Sequence, residues 1–113
     1  MAKSNKPIVW SLFAAGGTMA AFLAPVLVLL FLLVALGHTP VLLSYANLHA
    51  FAASVLGKVF LLGVIVLFLW HAAHRLRVTL HDFGLRQDTA VAWVVYLIAA
   101  AGSGLTVLYL LRI

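Results

Sequence analysis

The sequence contains no cysteine and only two acidic residues, Asp82 and Asp88, among its 113 residues. Without thiolates, the chain itself can form no disulfide framework, no cysteine-ligated zinc site and no iron–sulfur cluster. Charged residues of both signs make up 8% of the chain, whereas hydrophobic residues make up 66%. This composition differs so far from that of soluble domains that lipid is the expected solvent.

The apolar residues form three long runs, at residues 8–36, 48–74 and 89–111, and no run contains a carboxylate. A helix needs about 20 apolar residues to cross a bilayer. We therefore predict an all-α integral membrane protein in which residues 1–113 form a single domain with three transmembrane helices. A proton-coupled transporter needs an acid inside the membrane and a channel needs a selectivity ring, so the sequence argues against both.

Seven lysines and arginines give the chain a formal net charge of +5. They stand singly at the ends of apolar runs and are not clustered with aromatics, which argues against a nucleic-acid partner. The connection between the first two runs has none, whereas the N-terminus and the second connection have most of them: Lys3, Lys6, Arg75, Arg77 and Arg86. The positive-inside rule then predicts a cytoplasmic N-terminus and a periplasmic C-terminus.

Small residues interrupt the first and third runs, at residues 14–17 and 99–104. Helices in lipid associate through close van der Waals contact, which Ala, Gly and Ser permit. These patches are expected either to join the chain's own helices or to dock a partner. Pro25, in the middle of the first run, removes one backbone hydrogen bond, so we also expect a kink there.

Hydrogen-bond donors concentrate where the second run ends: Trp70, His71, His74, Arg75, Arg77 and His81. Trp10, near the start of the first run, is expected at the same depth in the membrane. Helical spacing would place Trp70, His74 and Arg77 on one face. Such donors suit the oxygens of a quinone, with His74, His81 or Asp82 as proton acceptors. The same residues also suit a purely structural anchor, as interfacial and topology groups. A shared haem would use His71 or His49 with a histidine from another chain.

Several short motifs follow one another over about residues 7–85: PIVWSLFAAGG at 7–17, AP at 24–25, LSY at 43–45, AFA at 50–52, GKVFL at 57–61, LW at 69–70, HR at 74–75 and HD at 81–82. In this order they resemble the motifs of the D subunit of fumarate reductase. The third run is only generically similar. Ala14 stands where the family can carry glycine, and Arg77 where it can carry histidine.

The resemblance implies a three-helix anchor that pairs with a C-type membrane anchor and docks the flavoprotein and iron–sulfur subunits for anaerobic fumarate respiration. Flavin and iron–sulfur clusters would reside only in those partners, and no haem is expected. A menaquinol site shared between subunits would use Trp10, Phe13, His74 and Arg75, with the acid supplied by the C-type anchor. On this view the chain is no enzyme alone. A haem-b-containing succinate dehydrogenase anchor is the related alternative.

Overall fold

A computed structural model describes residues 6–113, which form four α-helices: α1 (Lys6–Ala35), α2 (Tyr45–Ala53), α3 (Val55–Asp82) and α4 (Asp88–Arg112). A single 3₁₀ turn, Val41–Leu43, precedes α2. No strand occurs within residues 6–113, so the all-α prediction is confirmed. Three helices are long and apolar enough to span a membrane, as predicted: α1, α3 and α4. Lys3, one of the topology charges, lies outside the described residues.

Helices α1 and α3 end with the same hydrogen-bonded motif. The Gly37 N–H donates to the Val34 carbonyl, and the His38 N–H reaches back five residues to Leu33. At the end of α3, Gly84 and Leu85 make the equivalent bonds to His81 and Leu80. Both glycines have positive φ, +85° at Gly37 and +95° at Gly84, which a side chain would disfavour. These glycines therefore fix where the two helices stop.

The second apolar run differs from the expected single helix over residues 48–74, because Ser54 divides it into α2 and α3. Ser54 is extended, with ψ of 153°, and its Oγ accepts the Gly57 N–H at 3.0 Å. The same hydroxyl donates to the Phe51 carbonyl, which packs so closely on Gly57 that no Cβ would fit there. Capping thus starts α3 later than predicted. At the other end α3 continues past His74 to Asp82.

α1 is one continuous α-helix through Pro25. Its first turn contains Pro7, a position where proline is favoured because its missing N–H would have no partner in the helix. The Ser11 hydroxyl donates to the Pro7 carbonyl at 2.7 Å. The kink expected at Pro25 stays a prediction.

α3 lies at the centre of the fold, with α1 and α4 both packed against it. The small-residue patch of α1 packs directly on α3. A Cβ on Gly16 would lie 2.5 Å from the Leu67 carbonyl oxygen and 2.8 Å from His71 Cβ. On α4, Ala99 is buried and Gly102 faces Leu69. Both patches therefore join the chain's own helices, which was one of the two expected roles.

Four apolar side chains are buried among the described residues: Ala73, Val95, Ala99 and Leu110. The first three form a small core between α3 and α4, with Leu69, Trp70, Val91 and Tyr96 packed around it. Large apolar side chains elsewhere point outward along all the long helices. Phe22 and Phe31, for example, are more than two-thirds exposed. Such a surface needs lipid or another chain to cover it.

Candidate functional site

The three long helices line a half-open cavity of about 440 Å³ close to the start of α1 and the end of α3. Each helix contributes to the lining, which comprises Val9, Leu12, Phe13, Trp70, His74, Arg77 and Tyr96. Pockets of roughly 300–1,000 Å³ with apolar walls and a few polar groups are typical small-molecule sites. The shared lining of Trp70, His74 and Arg77 confirms that these three residues lie on one face of α3.

Phe13 contacts two histidines of α3. Its ring stacks on His71, with centroids 4.5 Å apart and planes at 13°, and it meets the His74 ring at 4.6 Å and 59°. The Phe13 carbonyl oxygen lies 3.0 Å from His71 Nδ1. Because a carbonyl can only accept, His71 Nδ1 donates the hydrogen, which fixes the tautomer of a neutral His71. His71 is therefore held in the seam between α1 and α3.

A series of polar contacts leads from Asp88, at the start of α4, to His74. Arg77 donates from Nε and Nη2 to the two carboxylate oxygens of Asp88, at 2.9 and 2.5 Å. Arg77 Nη1 also donates to the Tyr96 hydroxyl at 3.4 Å. The same hydroxyl lies 3.1 Å from His74 Nδ1. Nε2 is consequently the His74 nitrogen left for a ligand in the cavity.

The ring of Tyr96 is held between neighbours on α3. It stacks on Trp70, with centroids 5.8 Å apart and planes at 22°. The Arg77 guanidinium carbon lies 5.8 Å from the Tyr96 ring centroid, within the range of a cation–π contact. Two contacts thus orient the ring whose hydroxyl meets His74.

The structure brings together two of the four predicted site residues. Phe13 and His74 line the cavity, whereas Trp10 and Arg75 lie outside the lining and are exposed. Trp10 shares a helical face with Gly17, seven residues on, and Arg75 is one turn beyond His71. Since Gly17 contacts the His71 ring, Trp10 and Arg75 belong to the same flank of the α1–α3 seam. The cavity lies on the other flank, toward α4.

The remaining histidines and carboxylates lie apart from the cavity. His81 and Asp82 are exposed in the last turn of α3. His49 belongs to the short helix α2, where its ring packs near Tyr45 at 5.7 Å. Within residues 6–113, no group of three or more His, Cys, Asp or Glu side chains is arranged to hold a metal ion.

Sequence reasoning missed Tyr96 and Asp88 as partners in this site. The pattern of charges indicates Arg77 mainly as a topology charge, and the third apolar run looks generic. A usable signal is nevertheless present, because Asp88 and Tyr96 are two turns apart on the same side of α4. An acidic residue at the start of one helix is also a natural ion-pair partner for a basic residue near the end of the preceding helix.

Comparison with known proteins identifies the family. The family profile described as the D subunit of fumarate reductase matches residues 1–111. A fumarate reductase D subunit from Vibrio parahaemolyticus is 40% identical over 98% of this chain and 90% of its own length. Proteins of the same name from Aliivibrio fischeri and Photobacterium profundum are 37% and 33% identical, again over 98% of this chain.

This chain belongs to the family of fumarate reductase D subunits. It is accordingly a membrane-anchor subunit of a fumarate reductase complex, and the three spanning helices agree with that role. This anchor presents two surfaces rich in hydrogen-bond donors. One is the cavity between α1, α3 and α4, and the other is the exposed flank with Trp10 and Arg75.

Proposed function

We propose that this subunit contributes to a menaquinol oxidation site at the cytoplasmic end of its helix bundle. The observation that carries the proposal is the convergence of Phe13 and His74, from different helices, on one cavity of about 440 Å³. Its aromatic and aliphatic walls suit a quinone ring, and His74 Nε2 can bond to a ring oxygen. Bound menaquinol would give up two electrons, which pass on toward fumarate, and would release two protons at this site.

His74 is the residue of this chain placed to receive one of those protons. A neutral imidazole with its Nδ1 occupied by Tyr96 can accept a hydrogen at Nε2. No carboxylate lines the cavity within the described residues. The second acceptor is therefore assigned to another subunit, for which the C-type anchor is the candidate.

The exposure of Trp10 and Arg75 supports a site completed by a partner. Trp10 is 68% exposed and Arg75 is also exposed, so both are open to contact with another chain. In the assembled complex we place these two residues against the C-type anchor and the iron–sulfur subunit. Because the cavity lies on the other side of the α1–α3 seam, these two donors bind menaquinol only if the partners complete its site on their own flank, and the Trp10 and Arg75 variants test that position.

We further propose that the complex lies in the bacterial inner membrane with the N-terminus and residues 83–87 on the cytoplasmic side. Arg75, Arg77 and Arg86 all lie at that end of α3 or in the following loop. The flavoprotein and iron–sulfur subunits dock on this face. Electrons then travel from menaquinol through the partner's clusters to flavin and fumarate.

Purification of the complex in mild detergent tests the partners. We expect flavin-containing and iron–sulfur chains, together with a second membrane anchor, to co-purify with this subunit. Their absence would contradict the proposed role. A Soret band from b-type haem would instead favour a haem-containing anchor of the succinate dehydrogenase type.

A His74→Leu variant tests the site itself. Fumarate reduction driven by a soluble dye bypasses the membrane site and should be retained, whereas menaquinol-driven reduction should fall by more than about tenfold. His38→Leu is the matched control, because His38 is exposed in the opposite loop. Retention of both activities in His74→Leu would exclude His74 from the site.

A further inference from the structure

The series of polar contacts that ends at His74 has a consequence for how that histidine works. Its four members come from two helices, with His74 and Arg77 on α3 and Asp88 and Tyr96 on α4. Asp88 fixes Arg77 through two parallel bonds, the geometry in which an arginine–carboxylate pair is most directional. Arg77 in turn donates to Tyr96. Each residue therefore restricts the next one in the series.

The Tyr96 hydroxyl, which contacts His74, can both donate and accept a hydrogen bond. Arginine can only donate, so its bond to Tyr96 uses one lone pair of the hydroxyl oxygen. The hydroxyl keeps one hydrogen and one lone pair. It can therefore either donate to His74 Nδ1 or accept from it.

The donating hydroxyl suits bound quinone, and the accepting hydroxyl suits bound quinol. When Tyr96 donates to Nδ1, the hydrogen of neutral His74 resides on Nε2, which then donates to a quinone carbonyl. When Tyr96 accepts from Nδ1, Nε2 is bare and can accept from a quinol hydroxyl. A carbonyl or carboxylate in place of the hydroxyl would hold only the second tautomer.

We propose that Tyr96, anchored by the Arg77–Asp88 pair, is a positioning residue that orients His74 and lets it serve both quinol and quinone. This inference rests on the proposed menaquinol site. Tyr96 lines the cavity, but in this role it acts through His74 Nδ1 and not through a contact of its own with the ligand. The packing of its ring on Trp70 keeps the hydroxyl in place in both arrangements.

Tyr96→Phe in the assembled complex removes the hydroxyl and keeps the ring. Menaquinol-driven fumarate reduction should fall about three- to tenfold, the usual effect of losing one neutral hydrogen bond in a low-dielectric site. Dye-driven reduction should not change. Tyr109→Phe is the matched control, because Tyr109 lies near the other end of α4 and is exposed.

A double-mutant cycle with His74→Leu separates positioning from a general structural effect. If Tyr96 acts through His74, the double variant is no slower than His74→Leu alone. If the two losses multiply, Tyr96 acts independently and the inference is wrong. Loss in His74→Leu without loss in Tyr96→Phe overturns the inference and leaves the proposed function standing. No loss in either variant overturns both.

Asp88→Asn perturbs the opposite, partly exposed end of the same series of contacts. An amide cannot accept both Arg77 bonds, so the guanidinium and then the Tyr96 hydroxyl become less restrained. We expect a smaller loss of menaquinol-driven activity in the same direction, absent in the His74→Leu background. Should Tyr96→Phe fail to assemble, an unchanged activity in Asp88→Asn would by itself overturn the inference.

Discussion

Phe13 holds His71 by two of its own parts: its ring stacks on the imidazole at 4.5 Å, and its carbonyl accepts the Nδ1 hydrogen at 3.0 Å. This pair joins α1 to α3 at the level of the cavity. It also places the Phe13 ring against His74, at 4.6 Å between centroids. The spacing between α1 and α3 at this level therefore determines the shape of the proposed site.

Gly16→Ala tests that spacing. The added Cβ would lie 2.5 Å from the Leu67 carbonyl oxygen, a backbone atom that cannot turn away. Overpacking of this kind costs about 1–3 kcal/mol, more than the helix propensity that alanine gains. We expect a lower melting temperature of the detergent-solubilised complex and less assembled enzyme. Gly63→Ala is the control, because a Cβ at Gly63 meets nothing within 4 Å; equal stability of both variants would contradict the packing.

Trp10→Phe tests whether the exposed indole serves the ligand. Within the described residues Trp10 makes no aromatic pair, and it is 68% exposed, so its replacement should leave this chain's own fold intact. If its N–H bonds to menaquinol, we expect a change of about two- to tenfold in the menaquinol KM or kcat. Trp93→Phe, with 66% exposure on α4, is the control. Unchanged menaquinol kinetics in an assembled Trp10→Phe complex would reduce Trp10 to an interfacial anchor.

Arg75→Leu separates a ligand role from a topology role. As one of several basic residues on its side of the membrane, Arg75 is replaceable for orientation, so the variant should assemble. As a charge-assisted donor it is not replaceable, and menaquinol-driven fumarate reduction should fall at least about tenfold while dye-driven reduction persists. Arg86→Leu, in the loop after α3, should affect neither activity. Equal loss of both activities in Arg75→Leu would indicate damaged assembly instead.

Reporter fusions test the orientation. Residues 83–87 connect α3 to α4 at the end with Arg75, Arg77 and Arg86, so a reporter fused after Gln87 should be cytoplasmic. A reporter fused after Ile113, beyond α4, should be periplasmic. The measurement is the paired activity of a reporter that works only outside and one that works only inside. A cytoplasmic signal at Ile113 would refute the arrangement with three membrane crossings.

The sequence predicts the helical class and the three spans because apolar run length alone decides what can cross a bilayer. It also predicts the shared face of Trp70, His74 and Arg77, since this depends only on helical periodicity. The division of the second run was not predicted. It depends on Ser54 capping α3 and on the Phe51 carbonyl packing against Gly57, a contact that forms only after the chain has turned.

The partners of His74 illustrate a second reason for limited prediction. Tyr96 is 22 residues away from His74 in sequence, and the two meet only because α4 packs against α3. The ion pair with Asp88 likewise gives Arg77 a structural role in addition to the topology role that the sequence indicates. Local spacing identifies the residues of one helix face but leaves open which neighbouring helix that face meets.

Because few side chains are buried within this chain, unassembled copies of the subunit should be short-lived in the cell. With four buried apolar side chains in residues 6–113, little of the free energy that keeps the helices together arises inside the subunit. In copies of this subunit made in excess of the other subunits, the helices should separate from one another readily. Such copies would then become substrates for membrane proteases. The scarcest subunit would then limit the amount of assembled complex, even if the subunits were synthesised in unequal amounts.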